Sequence, residues 1–514
     1  MRPWLLPARV PRSIWLVGGA GVALACALAA PSTALLPAPA SGPAKLGAAA
    51  ALFLAFALGF LRPRPALYLL VVLAVGEGAV RKWLVNDIDV FLLKDVLLLG
   101  IYAGVLPRLR RDALRRPWWL LAPLAGVIAL ALVESARSPS LSEAVVGLRS
   151  YTIDVPLLWV GPVLLEPARR ALVLLVLTLA LGLGEAVLAV AQALSQSPVL
   201  NKLVSGALPA EITVRGVTYL RASGTFMQSG TLAAFLAFAV LVSFTFVAVF
   251  RRGWRYVLGV AAPALLTWGL VYGAARSLFG TTLVALAVLL GVLAVQRRLA
   301  SFLLVPASLG VGFVLLFTLV PAVEDGVHAV GRWWRVGPPA AAPPTPAPAP
   351  PQPKSASQVS GFLGRAANLN TAGGTQGLWG SRVKPQLELI GRQRLGHGTG
   401  TMTLGSEYAS ASAALQGESE YAKLAWELGL PGLALYVWFV CAFVVAAARG
   451  LARAGPEERP AAAVGLGIAA LAPVWGTITF APDYPIFGLF LYLLGGYAVA
   501  RSARPRPAPA PAGR

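Results

Sequence analysis

The sequence predicts an all-α polytopic membrane protein with roughly twelve to fourteen transmembrane helices. Hydrophobic residues make up 57% of the 514-residue chain, and the mean hydropathy is +0.72. Apolar runs of membrane-spanning length recur along the chain, whereas a soluble core of this size would show alternating apolar and polar faces. This recurrence, together with a regular alternation of arginine-rich connections, indicates the fold class.

About fourteen apolar runs are candidate membrane segments, several of them shorter than about 20 residues, so one or two are expected to be re-entrant or merged pairs. Cys26 and Cys441 both lie inside such runs, so the sequence offers no disulfide framework or zinc-ligand spacing. The runs lie near residues 13–30, 46–61, 66–80, 90–106, 117–133, 144–165, 171–191, 231–250, 256–273, 277–295, 300–320, 432–448, 461–479 and 485–500.

Arginines mark every second connection between these runs. They include Arg62 and Arg64, the group at 108–116, Arg169 and Arg170, the group at 251–255, Arg297 and Arg298, the group at 449–459 and the group at 501–506. Since Lys and Arg near short loops resist translocation, we expect these connections and both termini on the cytoplasmic side. The net charge of +22 therefore reflects membrane orientation and not a nucleic-acid partner. The basic leader, apolar run and ALAAPSTA at the N-terminus are also compatible with a cleaved signal peptide.

This orientation places one large loop outside the membrane, with a Pro/Ala tract at 337–354 that is expected to be an extended polyproline spacer. A second, shorter outer connection covers 192–230. The predicted regions are N-terminal membrane helices at 1–320, the large extracytoplasmic loop at 321–431, C-terminal membrane helices at 432–500 and a basic, Pro-rich tail at 501–514.

The end of the large loop predicts a short helix at the membrane interface. Within ESEYAKLAWEL, residues 418–428, an apolar stripe that includes Tyr421 lies beside a polar stripe of Glu420, Lys423 and Glu427. The following LGLPG is expected to break this helix before a spanning helix starts at Gly432. Upstream, the closely spaced backbone N–H groups of GHGTGT offer an anion-binding nest, although a flexible loop is the more common explanation of such a pattern.

Several of these motifs occur in a recognisable order. They are RKWL and FLLKD near 81 and 91, RASGTFMQSGTLAAFLAFAVL at 221–241, GAARSLFGTTLVALAVLL at 273–290, GHGTG at 396–400 and ESEYAKLAWELGLPGLALYV at 418–437. Together they resemble the O-antigen ligase and O-antigen polymerase superfamily. The resemblance implies a GT-C-like enzyme in a bacterial inner membrane that takes glycans from a polyprenyl diphosphate carrier at the outer face. It implies no metal and no other cofactor. The partners it implies are the lipid-linked glycan donor, a glycan or lipid acceptor and other polysaccharide assembly proteins.

Such a reaction needs cations at the level of the lipid headgroups to bind the diphosphate and stabilise it as it leaves. Arg221 and Arg276 lie at predicted outer helix ends, against the positive-inside tendency, and are the main candidates. Ordinary snorkelling to headgroups is the alternative for each. Arg215 is a weaker candidate, because it lies in a loop before the helix start.

Candidate catalytic residues come from the end of the large loop. The family pattern has His-Asn before the x-Tyr pair, whereas this chain has Glu418 and Ser419 before Glu420 and Tyr421. His397 in the glycine run is the nearest imidazole. We expect Glu418 or Glu420 to take a proton from the acceptor hydroxyl, and His397 to bind donor phosphate. Capping of a helix start is the alternative role for both acids.

Charges inside apolar runs predict contacts within the helix bundle. Lys94 and Asp95 lie inside the fourth run, and Arg149 and Asp154 are expected to form a pair inside the sixth. Further acids are expected to be ordinary loop residues: Glu134, Glu143 and Asp483.

Two other classes fit a chain of this kind. A lipid-linked sugar flippase or other transporter would also have a dozen or more helices and buried charges, but transporters usually have short outer loops and sites near the midplane. A non-catalytic scaffold in a polysaccharide export complex is the third possibility. Neither alternative predicts turnover of a lipid-linked oligosaccharide.

Overall fold

The structure, a computed structural model, describes residues 42–83, 88–109, 115–195, 211–214, 217–250, 253–272, 287, 388, 395–402, 419–476 and 485–503. These ranges fall in two compact units, one formed by residues 1–178 and 386–514 and the other by residues 179–385. The predicted runs at 13–30 and 300–320, the run at 277–295 except for residue 287, and the Pro/Ala tract lie outside the described residues.

The first unit is built from helices. They are α1 (Gly42–Leu61), α2 (Pro63–Trp83), α3 (Ile88–Val105), α4 (Trp118–Ser135), α5 (Leu141–Thr152), α6 (Leu157–Leu164), the start of α7 (Ala168–Ser195), α10 (Glu420–Arg453), α11 (Arg459–Trp475), α12 (Pro485–Phe490) and α13 (Gly496–Ser502). A π-helical turn, Leu491–Gly495, joins α12 to α13, and a 3-10 turn, Leu106–Arg108, ends α3. Each of the predicted runs within the described part of this unit lies on these helices.

The second unit contains the remainder of α7 and two further helices, α8 (Ser229–Val249) and α9 (Trp254–Tyr272). It also contains an antiparallel strand pair, β1 (Glu211–Val214) and β2 (Val217–Leu220), in which Glu211 pairs with Leu220. This short pair, in the connection between α7 and α8, is the one exception to helical structure among the regular elements of the described residues, and the all-α class is otherwise as predicted.

Five helices in the described ranges are long and apolar enough to cross a membrane. They cover Pro63–Lys82, Trp118–Ser135, Ala168–Ala193, Ser229–Val247 and Glu420–Arg453. Shorter apolar helices cover Ala49–Leu61, Arg459–Trp475 and Ile486–Ser502. The architecture is that of an α-helical membrane protein, as predicted.

The run at 144–165 is two short helices and not one spanning segment. Ser140 caps α5, because its Oγ accepts from the Glu143 N–H at 3.2 Å. The chain then turns at 153–156, where Pro156 disfavours helical geometry in the residue before it. Neither α5, with 12 residues, nor α6, with 8, is long enough to span a bilayer alone.

Helix α10 begins at Glu420, twelve residues before the predicted start of the spanning helix. Its backbone leaves helical geometry at Gly429, where φ is 72° and ψ is 179°, and Pro431 follows. This confirms the predicted break in LGLPG. The residues before the break are not an interface helix with a solvated polar stripe, however. Glu420, Lys423 and Glu427 are all buried within the first unit.

A buried arginine, Arg501, forms ion pairs with two other segments of the first unit. Arg501 on α13 is 1% exposed, and its Nη2 lies 3.2 Å from Glu166 and 3.1 Å from Glu458. Its guanidinium stacks on Tyr497, 3.6 Å from the ring centroid. Nearby, Arg116 donates to the Leu158 carbonyl at 3.0 Å; burial lowers the pKa of Arg116 to about 10, and the positive charge of Arg501 lowers it as well.

Candidate functional site

Residues 395–402, which we name the glycine loop, lie against the first part of α10. The N–H of His397 donates to the carbonyl of Trp426 at 2.9 Å. The imidazole stacks on the Trp426 indole with ring centroids 4.2 Å apart and planes 18° from parallel. His397 is exposed on this platform, so the loop presents an accessible imidazole at a fixed place on the surface of the first unit.

The buried side chain of Glu427 binds the end of the glycine loop. Its side chain is 0% exposed, and it accepts one hydrogen bond from the Tyr151 hydroxyl on α5 at 2.7 Å and one from the Met402 N–H at 2.8 Å. The carboxylate therefore joins α10, α5 and the loop. The backbone N–H directly after the predicted anion-binding nest, that of Met402, is thus bonded to a carboxylate of the chain itself.

Glycines are required where the loop touches α5. Gly398 and Gly400 have φ of 98° and 84°, which side chains of L-residues rarely adopt. A methyl group at Gly400 would overlap the carbonyl oxygen of Glu143, and one at Gly398 would lie 2.8 Å from backbone atoms of Ser138. The Ser138 hydroxyl donates to the Thr399 carbonyl at 2.7 Å. The loop is packed, not flexible.

Two acids predicted to be ordinary loop residues belong to this contact and are buried. Glu143 is 4% exposed in the first turn of α5, and Glu134 is 6% exposed near the end of α4. Arg137 donates to Glu134 at 3.0 Å. The prediction was wrong for both residues, because the glycine loop, which is distant in sequence, covers this corner. Asp483 lies outside the described residues.

Glu420, one candidate base, lies in the first turn of α10. Ser419 is the N-cap residue, its Oγ accepting from the Ala422 N–H at 3.4 Å and donating to the Gly476 carbonyl at 2.8 Å. Glu420 Oε1 lies 3.8 Å from Nζ of Lys423, and both side chains are 1% exposed. Six residues separate Glu420 from Trp426, which corresponds to about 9 Å along the helix axis.

Lys423 extends this polar contact toward α5. Its Nζ donates to the Ser150 hydroxyl at 3.4 Å and lies 4.8 Å from the centroid of the Tyr151 ring. Glu420, Lys423, Tyr151 and Glu427 therefore form a buried polar layer beneath the glycine loop. The other candidate base, Glu418, lies outside the described residues.

Arg221 belongs to the second unit, where it begins a turn at 221–228 that we name the arginine turn. Two buried side chains of α7 bind this turn. The Gln192 amide oxygen accepts from Ser223 N and Gly224 N at 3.1 and 2.8 Å, and its nitrogen donates to the Gly224 carbonyl at 3.0 Å. Glu185 accepts from the N–H and hydroxyl of Thr225 at 2.9 and 2.6 Å.

The arginine turn is fixed on its other side as well. Ala222 N donates to the carbonyl of Tyr272, the last residue of α9, at 3.3 Å. Gly224 has a φ of 57°, and a methyl group there would overlap the Glu185 carboxylate. Arg221 itself is half-buried at the start of this turn. Arg215 and Arg276, the other predicted diphosphate ligands, lie outside the described residues.

A cavity in the first unit, which we name the charged cavity, is lined by Lys94, Asp95, Arg149, Ser150 and Asp154 and otherwise by apolar side chains. The prediction that Arg149 pairs with Asp154 is wrong. Arg149 instead donates to both carboxylate oxygens of Asp95, from Nε at 2.5 Å and from Nη2 at 3.0 Å. Lys94 is bonded to Glu77 of α2.

Sequence reasoning missed Glu185, Gln192 and Tyr151. Glu185 and Gln192 are seven residues apart and so lie on one face of α7, and polar residues within an apolar run are costly in lipid. That spacing was a usable signal for a polar contact. Tyr151 offered no such signal, because its partner Glu427 is 276 residues away.

These features define an α-helical membrane protein with a packed glycine loop in one unit and a hydrogen-bonded arginine turn in the other. Among the described residues, no group of three or more His, Cys, Asp or Glu side chains is arranged to hold a metal ion. Neither a protein-family model nor a curated protein matches the chain.

Proposed function

We propose that the protein is a GT-C-like glycan transferase acting on polyprenyl-diphosphate-linked oligosaccharide at the outer face of a bacterial inner membrane. It would polymerise repeat units or ligate a finished glycan to an acceptor. Arg221, with Arg276 and Arg215, would bind the donor diphosphate. His397 would bind donor phosphate, and Glu418 or Glu420 would take the proton of the acceptor hydroxyl.

The observation that carries this proposal is the construction of the arginine turn. Two buried polar side chains, Glu185 and Gln192, form hydrogen bonds to a turn of eight residues. This turn leads into a helix that is long and apolar enough to span a membrane. Burying such groups is unfavourable unless every bond is made, so they fix the turn in one geometry. A planar guanidinium carried on such a turn suits bidentate binding of a diphosphate.

The glycine loop supports the same proposal independently. It holds an exposed imidazole against Trp426, and the buried layer with Glu420 and Lys423 lies on the same helix. A carboxylate is a poor phosphate ligand, because like charges repel, and suits the acceptor side instead. We therefore expect His397→Ala to impair donor binding mainly, and Glu418→Gln or Glu420→Gln to slow transfer with donor still bound.

Turnover by the purified protein tests the proposal. The full chain in detergent is mixed with polyprenyl-diphosphate-linked oligosaccharide, and donor consumption is followed by chromatography of the released lipid diphosphate. Arg221→Lys keeps the charge but loses the planar fork, so it should weaken donor use, as Arg221→Ala should. Arg169→Lys, at an exposed position on α7, is the matched control and should be neutral. Equal activity of wild type and Arg221→Ala would contradict the assignment.

Genetic deletion separates the two transfer reactions. Single carrier-linked units should accumulate if the protein is a polymerase, and long unligated chains if it is a ligase. The measurement is gel separation of the lipid-linked glycans from cells with and without the gene.

A transporter of polysaccharide or lipid-linked sugar is the second candidate, and the charged cavity favours it. Charged side chains inside a helix bundle are typical of substrate and ion pathways. In proteoliposomes, a transporter would move the lipid-linked sugar across the bilayer without consuming it. Movement without release of lipid diphosphate would replace the transferase proposal.

A further inference from the structure

Asp154 differs from the other acids near the charged cavity. Asp95 receives two hydrogen bonds from Arg149, and Glu77 is bonded to Lys94 and lies 3.5 Å from Arg81. Arg149 and Lys94 therefore each have a carboxylate partner other than Asp154. Asp154 accepts no side-chain hydrogen bond from any residue in the part of the chain that the structure describes.

The position of Asp154 is nevertheless well fixed. It lies in the turn between α5 and α6, where its backbone carbonyl accepts from the Leu157 N–H at 3.0 Å. The Tyr102 hydroxyl on α3 donates to the carbonyl of Ile153, the residue before Asp154, at 2.7 Å. Both bonds hold the backbone and leave the carboxyl group at the cavity wall.

The electrostatic surroundings of Asp154 come from two elements. Arg149 on α5 and Lys94 on α3 favour its charged form, whereas Asp95 on α3 disfavours it. Glu77 and Arg81 on α2 lie behind Lys94, and Leu489 on α12 closes the cavity with an apolar wall. The largest effect is desolvation of this half-buried carboxyl group, which raises the pKa of Asp154 and favours the neutral acid.

We propose that the charged cavity is a proton-binding site in which Asp154 is the group that takes up and releases the proton. When Asp154 is ionised, the cluster carries no net charge. Its three carboxylates balance the three cations Arg81, Lys94 and Arg149; the other two carboxylates are those of Glu77 and Asp95. Protonation of Asp154 leaves the cluster with one net positive charge. The proton forms an O–H bond on the Asp154 carboxylate and is released to water by the reverse step.

A polar contact joins one side of the cavity to the buried polar layer. Ser150 lines the cavity, and its hydroxyl accepts from Lys423, which lies beside Glu420 in the buried polar layer. Proton binding at Asp154 does not depend on the proposed transfer reaction.

Infrared spectroscopy tests this assignment on the purified full chain. At a pH of about 6, two units above the ordinary aspartate pKa of ~3.9, exposed carboxyls are ionised and give no carboxylic-acid C=O band. The wild type should show such a band, and Asp154→Asn should lose it. Glu457→Gln, at an exposed position before α11, is the matched control and should leave it unchanged.

Further variants keep the assignment testable if Asp154→Asn does not fold. Asp154→Glu retains a carboxyl group and should shift the band rather than remove it. A band that is unchanged in both Asp154 variants, or no band in the wild type, would overturn the assignment. A band that sodium chloride removes and choline chloride does not would instead assign the cavity to a monovalent metal cation.

Discussion

The hydroxyl of Tyr151 donates a hydrogen bond to Oε2 of Glu427 at 2.7 Å, and both side chains are buried. These residues are 276 positions apart, and the bond joins the start of α10 to α5. The other oxygen of Glu427 accepts from Met402 N. One carboxylate therefore positions the glycine loop, and with it His397, against two helices.

Removing the two partners should have non-additive effects on stability. Tyr151→Phe leaves Glu427 bonded to Met402 and should cost about 1 kcal/mol, whereas Glu427→Ala leaves two buried donors unpaired and should cost about 2 kcal/mol or more. The double variant should fall short of the sum by about 0.5–3 kcal/mol. Denaturant unfolding in detergent measures all four proteins. Strict additivity would mean that the bond contributes nothing to the fold.

Alanine in the glycine loop should destabilise the first unit. Gly400→Ala combines a positive φ with an overlap on the Glu143 carbonyl, for an expected loss of about 2 kcal/mol. Gly455→Ala is the control, because a methyl group there meets nothing within 4 Å. Thermal unfolding should show a lower midpoint for Gly400→Ala only. Equal midpoints would show that the loop is not packed as described.

The bidentate pair of Asp95 and Arg149 should be sensitive to loss of one partner. Asp95→Asn leaves the Arg149 guanidinium, whose side chain is 21% exposed, without its counter-charge, for an expected loss of about 1.5–3 kcal/mol. Arg169→Gln, at an exposed position on α7, is the control and should cost about 0.5 kcal/mol or less. Denaturant unfolding compares the two. Similar losses would argue against a buried ion pair at the charged cavity.

Loosening the arginine turn should weaken donor binding if Arg221 binds diphosphate. Thr225→Val removes the hydroxyl bond to Glu185 while keeping the side-chain shape, so KM for the lipid-linked donor should rise about tenfold with a smaller effect on kcat. Thr178→Val is a matched control, since its hydroxyl bonds only within α7, to Leu174. A change in kcat alone would place the turn outside donor binding.

Membrane orientation can be tested with single cysteines at exposed positions after Cys26 and Cys441 are replaced. We expect Ala136→Cys, after α4, to react with an impermeant thiol reagent in intact spheroplasts, and Glu457→Cys, before α11, to react only after lysis. Mass spectrometry of the labelled protein gives the readout. The opposite pattern would place the glycine loop in the cytoplasm and remove it from the outer face.

Local features of the fold were predictable from sequence. The apolar runs located the helices, and glycine and proline in LGLPG located the break at Gly429, because both effects act within a few residues. The division of the run at 144–165 was missed, since hydropathy does not distinguish one helix from two.

Partners distant in sequence were not predictable. Proximity suggested Asp154 for Arg149, but α3 brings Asp95 closer from 54 residues away. In the sequence, the polar stripe at Glu420 and Glu427 predicts an interface helix. Periodicity identifies the polar face of a helix but not the elements that pack against that face. Burial of that stripe depends on α5 and on the glycine loop, which only the three-dimensional structure brings together.

The break in α10 and the hydrogen bond from His397 depend on each other, so neither segment can be replaced by a foreign sequence alone. An uninterrupted helix would pair the Trp426 carbonyl with the N–H of Leu430, beyond Gly429, and here the N–H of His397 donates to that carbonyl at 2.9 Å. A chimera that imports a foreign segment at 395–402 would therefore also need the matching segment at 426–432. Otherwise the main-chain carbonyl of Trp426 loses its donor. The two segments are one transferable module, although they are separated in the chain.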